Sequence, residues 1–210
     1  IDQKLQPVLA ETLSGIENAE VVFRDFMKTN LPELEKELGH YTVVANLPYY
    51  ITTPIVMRFV EESVSADAVV IMVQDDVAKR FCAQAATPEY GAITAAIARR
   101  ASAQIIKYVP RKMFYPVPNV DSAVVKLTFE KDRIPVKNVA CFRDTVRAAF
   151  LSRRKTLENN LVNAFQLTRE SAKDILTRAN IPEKARGETL SPEQLAALSD
   201  LIFELHLSSR

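Results

Sequence analysis

The order of apolar and polar positions divides the chain into two regimes. In the first two-thirds, short β-branched runs alternate with helical patterns. "AEVVFRD" (19–25), "YTVVANL" (41–47) and "ADAVVIMVQ" (66–74) are continuous apolar runs. Such runs predict strands buried on both faces, as in a parallel sheet. "TTPIVMRFVEES" predicts a helix with Thr53 as N-cap and Pro54 at its first position, and with Ile55, Val56, Phe59 and Val60 on one apolar face. "DDVAKRFCAQA" and "GAITAAIARRAS" read as two further helices. Strands alternating with helices point to an α/β layered domain with right-handed crossovers. From Gln104 the pattern changes. "AQIIKYV" and "SAVVKLTFE" are strands joined by the Pro-rich "PRKMFYPVPNVD", which has no room for a crossover helix. They are predicted to be antiparallel neighbours at the end of a mainly parallel sheet.

After the charged, Pro-containing linker "EKDRIPVKN" (130–138) only helical patterns remain. Val139, Phe142, Val146, Ala149 and Phe150 share one face, and Leu157, Leu161 and Ala164 share another. "TRESAKDILTRAN" and "SPEQLAALSDLIFEL" supply two more helices, the last capped by Ser191 with Pro192 at its first position. The expected organisation is an α/β domain over 1–131 and a small all-helical domain over 138–210.

Composition narrows the class. With 210 residues, 48% hydrophobic and 25% charged, the profile is that of an ordinary globular chain. No apolar run approaches the roughly 20 residues needed to span a bilayer, and no signal-peptide pattern opens the sequence. The chain is expected to be cytoplasmic and monomeric. Cys82 and Cys141 stand far apart without ligand-like neighbours and read as reduced thiols. His40 and His206 form no cluster, so no metal site is expected. Charge is segregated behind the net value of +1. Residues 1–98 hold 7 cations and 14 anions (net −7), 99–155 hold 14 and 4 (net +10), and 156–210 hold 6 and 8 (net −2). The basic block is either a polyanion-facing surface or a solvated face balanced by the acidic block.

Candidate chemistry lies in "VVANLPYY" (43–50), where an apolar strand ends on a polar amide, a proline and two tyrosines. In open α/β sheets ligands bind beyond the carboxyl ends of the strands. Leu47 precedes a proline and is therefore extended or in a turn. Pro48 lacks a donor, so the segment offers more carbonyls than N–H groups, and Asn46 adds a side-chain carbonyl. Acceptors beside an aromatic ring suit an amino group on a flat heterocycle. The bland alternative is a polar turn with two surface tyrosines.

"NLPYYITTPIVMRFVEE" resembles the catalytic signature of the ribosomal RNA adenine dimethyltransferases of the small subunit. The resemblance continues through "IMVQDDVAKRF", "ATPEYGAITAAI", "FYPVPNVDSAVVKL" and "AAFLSRRKTLENNL", in order over nearly the whole chain. It implies a Rossmann-like methyltransferase sheet, mostly parallel with an antiparallel end. It also implies S-adenosylmethionine as methyl donor and transfer to two adjacent adenosines near the 3′ end of small-subunit rRNA, in the immature small subunit. Asn46, Leu47, Pro48 and Tyr49 would be the catalytic tetrad. The Asn46 side chain and the Pro48 carbonyl would hold the target amine, and Tyr49 would stack on its ring. Phe114 would be a second aromatic closing over the base, or else a core residue. Asp25 would accept from the adenine amino group of the cofactor, with Phe26 nearby and Asn46 also lining the donor; otherwise Asp25 is a cap or surface aspartate.

In the basic block, Arg111, Lys112, Arg147, Arg153, Arg154 and Lys155 are the expected RNA contacts. If residues 153–155 open a helix, their charges at its positive end call for an anion; if they end the preceding helix, they need none. The chain departs from the family pattern in one respect. Its four glycines, Gly15, Gly39, Gly91 and Gly187, form no G-x-G, and the ribose-binding acid would fall just before Ile1. The expectation is a chain truncated before its first strands, binding S-adenosylmethionine weakly or not at all. Two other functions compete: a resistance-type methyltransferase of large-subunit rRNA, and a non-enzymatic RNA-binding or assembly module.

Overall fold

The computed structural model describes residues 2–205. Ile1, His206 and the residues after it lie outside the described residues. Gln6–Thr12 (α1) precedes the stretch expected to form the first strand. That expectation is corrected. Residues 19–25 have no regular structure and pair with no strand among the described residues, and Val22 is 57% exposed. A β-branched run favours extended backbone, but a strand also needs a neighbour to take its N–H and C=O groups.

Asn30 caps Leu31–Leu38 (α2) by accepting from the Glu33 N–H at 3.3 Å. The helix presents Glu35, only 3% exposed, to the strand and loop beside it. One carboxylate oxygen accepts from the Tyr41 and Ser63 hydroxyls, both at 2.5 Å, and the other from the Val64 N–H at 2.7 Å. Burial pushes the Glu35 carboxyl up, but these donors outweigh it and hold it below the usual carboxylate range.

Four strands form a mixed sheet: Tyr41–Asn46 (β1), Ala66–Gln74 (β2), Ala101–Val109 (β3) and Ser122–Phe129 (β4), in the order β1-β2-β4-β3. β1 and β2 are parallel, and β4 is antiparallel to both β2 and β3. Three strands therefore run one way, and β4 is wedged, reversed, between β2 and β3. Val69, Ile71 and Val73, on one face of β2, are fully buried, while Val70 and Met72 on the other face are half-buried. Burial on both faces fails for β1, which alternates half-buried and exposed residues, with Val44 79% exposed. β1 lies at the sheet edge and packs on one side only.

Tyr49–Glu62 (α3), Asp75–Phe81 (α4) and Ala92–Arg100 (α5) cover the sheet. Ile55, Val56, Phe59 and Val60 of α3 are buried in the sheet's core, as expected. The start of α3 is a correction: it begins at Tyr49, a full turn before Thr53, and Pro54 lies inside it. The first turn is closed early by the Ile51 N–H and the Thr52 hydroxyl, both donating to the Pro48 carbonyl at 3.1 Å. Pro54 removes one interior bond, to the carbonyl of Tyr50, a residue open to water.

Val139–Ala149 (α6), Leu157–Phe165 (α7), Arg169–Arg178 (α8) and Pro192–Glu204 (α9) build a second core from Phe142, Val146, Leu157, Leu161, Ile175, Leu176, Leu195 and Leu198. Asn138, Thr156, Thr168 and Ser191 cap them, and Ser191 and Gln194 form a capping box. Val139 and Ala164, expected on buried faces, are exposed, and Phe150 is half-buried just past the end of α6. Gly187 has no room for a side chain, since a Cβ there would lie 2.2 Å from the Ala149 carbonyl oxygen. No described helix is long and apolar enough to cross a membrane.

Candidate active site

The sheet register gathers four strand ends at one edge. Asn46 closes β1 opposite Met72, Gln74 closes β2 opposite Ser122, and Ser122, opening β4, also faces Val109, which closes β3. This is the carboxyl edge where open α/β sheets take ligands. Asn46 is exposed there, Leu47 is half-buried, and Pro48 turns the chain into α3.

Tyr49 is half-buried, and its hydroxyl lies 2.7 Å from the hydroxyl of the fully buried Ser122. That bond fixes the ring across the edge, between the start of α3 and the start of β4. Ser122 has no sequence signal of its own, because its partner is 73 residues away. One expectation needs adjusting. The Pro48 carbonyl, assigned to the target amine, already accepts from Ile51 and Thr52, and a carbonyl oxygen has two lone pairs. No loop or cap hydrogen bond among the described residues ends on the Leu47 carbonyl.

The connection 110–121 closes over the same edge. The Arg111 N–H donates to the Asp121 carboxylate at 2.8 Å, the Arg111 guanidinium donates to the Asn119 carbonyl at 3.3 Å, and the Asp75 N–H donates to the Asp121 carbonyl at 3.0 Å. The loop is thus tied at its base to the end of β2. Phe114 is half-buried within it, while Met113, Tyr115 and Val117 are exposed.

Asp25 is half-buried and caps the short turn Phe26–Lys28, its Oδ1 accepting from the Met27 N–H at 3.0 Å. Phe26 stacks on Phe59 with ring centroids 5.3 Å apart. Arg58 lies over the Phe26 ring and donates to the carbonyls of Phe26 and Thr29 at 2.5 and 2.7 Å. The turn bearing Asp25 is thereby bolted to α3, and Phe26 is part of the packing that holds it.

The basic residues do not form one patch. Arg111 and Lys112 sit on the loop at the carboxyl edge of the sheet. Arg147 lines a cleft of about 490 Å³ between α3, α5 and α6, together with Arg99 and Arg143 and a single carboxylate, Glu61. Residues 153–155 neither open nor end a helix. They occupy the turn between Ala149 and Leu157, just ahead of the Thr156 cap. Arg153 is a strap: its guanidinium donates to the carbonyls of Pro88 (2.7 Å) and Tyr90 and lies 3.8 Å from Glu188. Arg154 and Lys155 are exposed.

Comparison with known proteins gives this geometry a family. The family model "Ribosomal RNA adenine dimethylase" matches residues 1–202. "Ribosomal RNA small subunit methyltransferase A" of Clostridioides difficile is 46% identical over 206 residues, covering 96% of this chain and 71% of the relative. The protein of the same name from Bacillus licheniformis is 41% identical, covering 99% and 74%. A dimethyladenosine transferase from Plasmodium falciparum has a similar fold, with a TM-score of 0.81 at 22% identity over 98% of this chain and 80% of that one. The 23S rRNA methyltransferase ErmE gives a TM-score of 0.69 at 25% identity, covering 97% and 80%. With a family model matched along almost its whole length and relatives above 40% identity, the chain belongs to the ribosomal RNA adenine dimethylase family.

Proposed function

We propose that this chain transfers methyl groups from S-adenosylmethionine to the exocyclic amines of two adjacent adenosines near the 3′ end of small-subunit rRNA, during ribosome assembly. The observation that carries the reading is the Asn46–Tyr49 corner, where open acceptors and an anchored aromatic ring share the carboxyl edge of the sheet. In this reading 1–131 is the catalytic domain, 138–210 is the helical RNA-binding domain, and the protein acts as a cytoplasmic monomer without a metal.

Asp25 is the residue that would hold the adenine end of the methyl donor. Asp25 spends Oδ1 on its own turn, and its other oxygen can accept from an adenine amino group. When bound, S-adenosylmethionine supplies an electrophilic methyl on a sulfonium. An adenine amine is a poor nucleophile because its lone pair is delocalised into the ring. The Asn46 Oδ1 and the Leu47 carbonyl take its two hydrogens and turn the lone pair out of the ring plane. Tyr49 and Phe114 hold the flipped base between them. This is catalysis by positioning and electrostatics, with no covalent intermediate.

The test supplies isotopically methyl-labelled donor at saturation, with immature small subunits and large subunits as parallel substrates. Label in two adjacent adenosines of the small-subunit RNA is expected. Label confined to large-subunit RNA, or RNA binding with no transfer, overturns the reading.

Arg111, Lys112, Arg147, Arg154 and Lys155 are assigned to phosphates, with Arg153 holding the loop that presents the last two. Replacing Arg154 and Lys155 together with Gln is expected to weaken RNA binding at low salt and to lower the slope of log affinity against log salt by about 1.4–1.8. An unchanged slope removes both from the interface.

A further inference from the structure

The loop 110–121 carries a feature that target-base binding leaves unused. Phe114 is half-buried, but its neighbour Tyr115 is 101% exposed, the most open of the large apolar side chains among the described residues. Met113, Val117 and Val120 beside it are also exposed. A loop anchored to the sheet through Asp121, Asp75 and Arg111 holds these side chains out in water. Exposed apolar groups held on a fixed support are the mark of an interaction surface. The charge around them indicates the occupant. Residues 101–120 contain three cations, Lys107, Arg111 and Lys112, and no acid, and the aromatic residues Tyr108, Phe114 and Tyr115 lie among and beside them. Cations interleaved with aromatic rings are how proteins hold single-stranded nucleic acid, with backbone charge neutralised and bases stacked.

We infer that Tyr115 is a stacking platform for the nucleotide next to the flipped adenine, holding the neighbouring base while Phe114 and Tyr49 hold the target. The inference rests on the reading of this site as an RNA adenine methyltransferase. It adds a contact that distinguishes an adjacent-base substrate from an isolated adenosine. The neighbour's phosphate lies within the field of Arg111 and Lys112. When the neighbour itself becomes the target, the strand advances by one nucleotide and Tyr115 takes the next base on the same side.

The chain has no tryptophan, so Tyr115→Trp installs the sole indole at the proposed platform. On titration with a single-stranded RNA oligonucleotide bearing two adjacent adenosines, its fluorescence is expected to be quenched by base stacking. Tyr115→Ala is expected to lower affinity for that RNA by between about five- and a hundredfold with an unchanged salt slope, since the residue carries no charge. An oligonucleotide with an abasic position beside the target is expected to bind wild type more weakly but to bind Tyr115→Ala no worse than the intact RNA does. Full exposure of Tyr115 means that the thermal midpoint of each variant should match wild type. Equal affinity of Tyr115→Ala and wild type overturns the inference, as does an unquenched indole. So does altered self-association on sedimentation with unchanged RNA affinity, which makes the patch a protein contact. Methyl transfer by wild type with no effect of Tyr115→Ala defeats the platform and leaves the enzyme reading intact. Stacking at position 115 without methyl transfer does the reverse. Absence of RNA binding by wild type defeats both.

Discussion

Asn46→Ala is expected to lower the rate of methyl transfer at saturating donor and RNA by about 10²–10³, the loss typical of deleting one preorganised polar contact from a transition state. Asn46 is exposed at the end of β1. The variant should therefore unfold at the wild-type temperature. The loss should fall on kcat and leave the KM for RNA nearly unchanged, because Tyr49, the ring proposed to stack on the base, stays anchored to Ser122. Asn46→Asp keeps an acceptor oxygen at the same place and should retain more activity than Ala. Single-turnover transfer to immature small subunits measures all three proteins. An Asn46→Ala variant within a factor of three of wild type would remove Asn46 from the chemistry.

Glu35→Ala is expected to destabilise the α/β part by about 3–4 kcal/mol, because it removes the acceptor shared by three donors, of which the Ser63 hydroxyl is fully buried. The Tyr41 and Ser63 hydroxyls and the Val64 N–H all converge on this carboxylate, which is itself buried. Urea unfolding followed by circular dichroism reads the change. The pH dependence gives an independent sign. Against the upward push of burial, the Ser63, Tyr41 and Val64 donors make the Glu35 carboxyl titrate lower in the folded protein than an ordinary glutamate does. Its ionised form is favoured by folding, so the contribution is complete above the unfolded value and is lost as pH falls through the folded one. Wild type should lose this component below about pH 4.5, whereas Glu35→Gln, which cannot ionise, should not. Parallel stability curves for the two proteins through that range would show that the carboxylate does not organise this corner.

What could be read from the sequence depended on whether the cause was local. β2 was legible to the residue from its apolar run, and α9 from Ser191 and Pro192, because pattern and cap sit within a few positions of what they specify. Residues 19–25 show the limit: their composition favours a strand, but the neighbour a strand requires is not encoded in the run itself. Pro54 misled for a related reason. Proline is favoured at a first helical position, yet here the Pro48 carbonyl closes a turn upstream and the helix accommodates the missing donor. In the candidate site, the acceptor-rich corner and its tyrosine stand out in the sequence because they are adjacent along the chain. Two features do not, since both are tertiary: the Ser122 bond that fixes the tyrosine, and the strap role of Arg153, whose acceptors lie more than 60 residues upstream.

The place of β4 between β2 and β3 has a consequence for the making of the chain. β2 is complete at Gln74, but the edge formed by Val69–Val73 finds its partner only in residues 123–127. β3 is made in the interval and cannot cover that edge, because its own neighbour is also β4. At ordinary rates of synthesis the gap of some fifty residues lasts about 3–10 s, during which an apolar strand edge stays open to any other extended chain. The arrival of Ser122 and the residues after it seals that edge and, in the same event, brings to Tyr49 the hydroxyl that holds it in place. A nascent chain released before this point would be both inactive and adhesive.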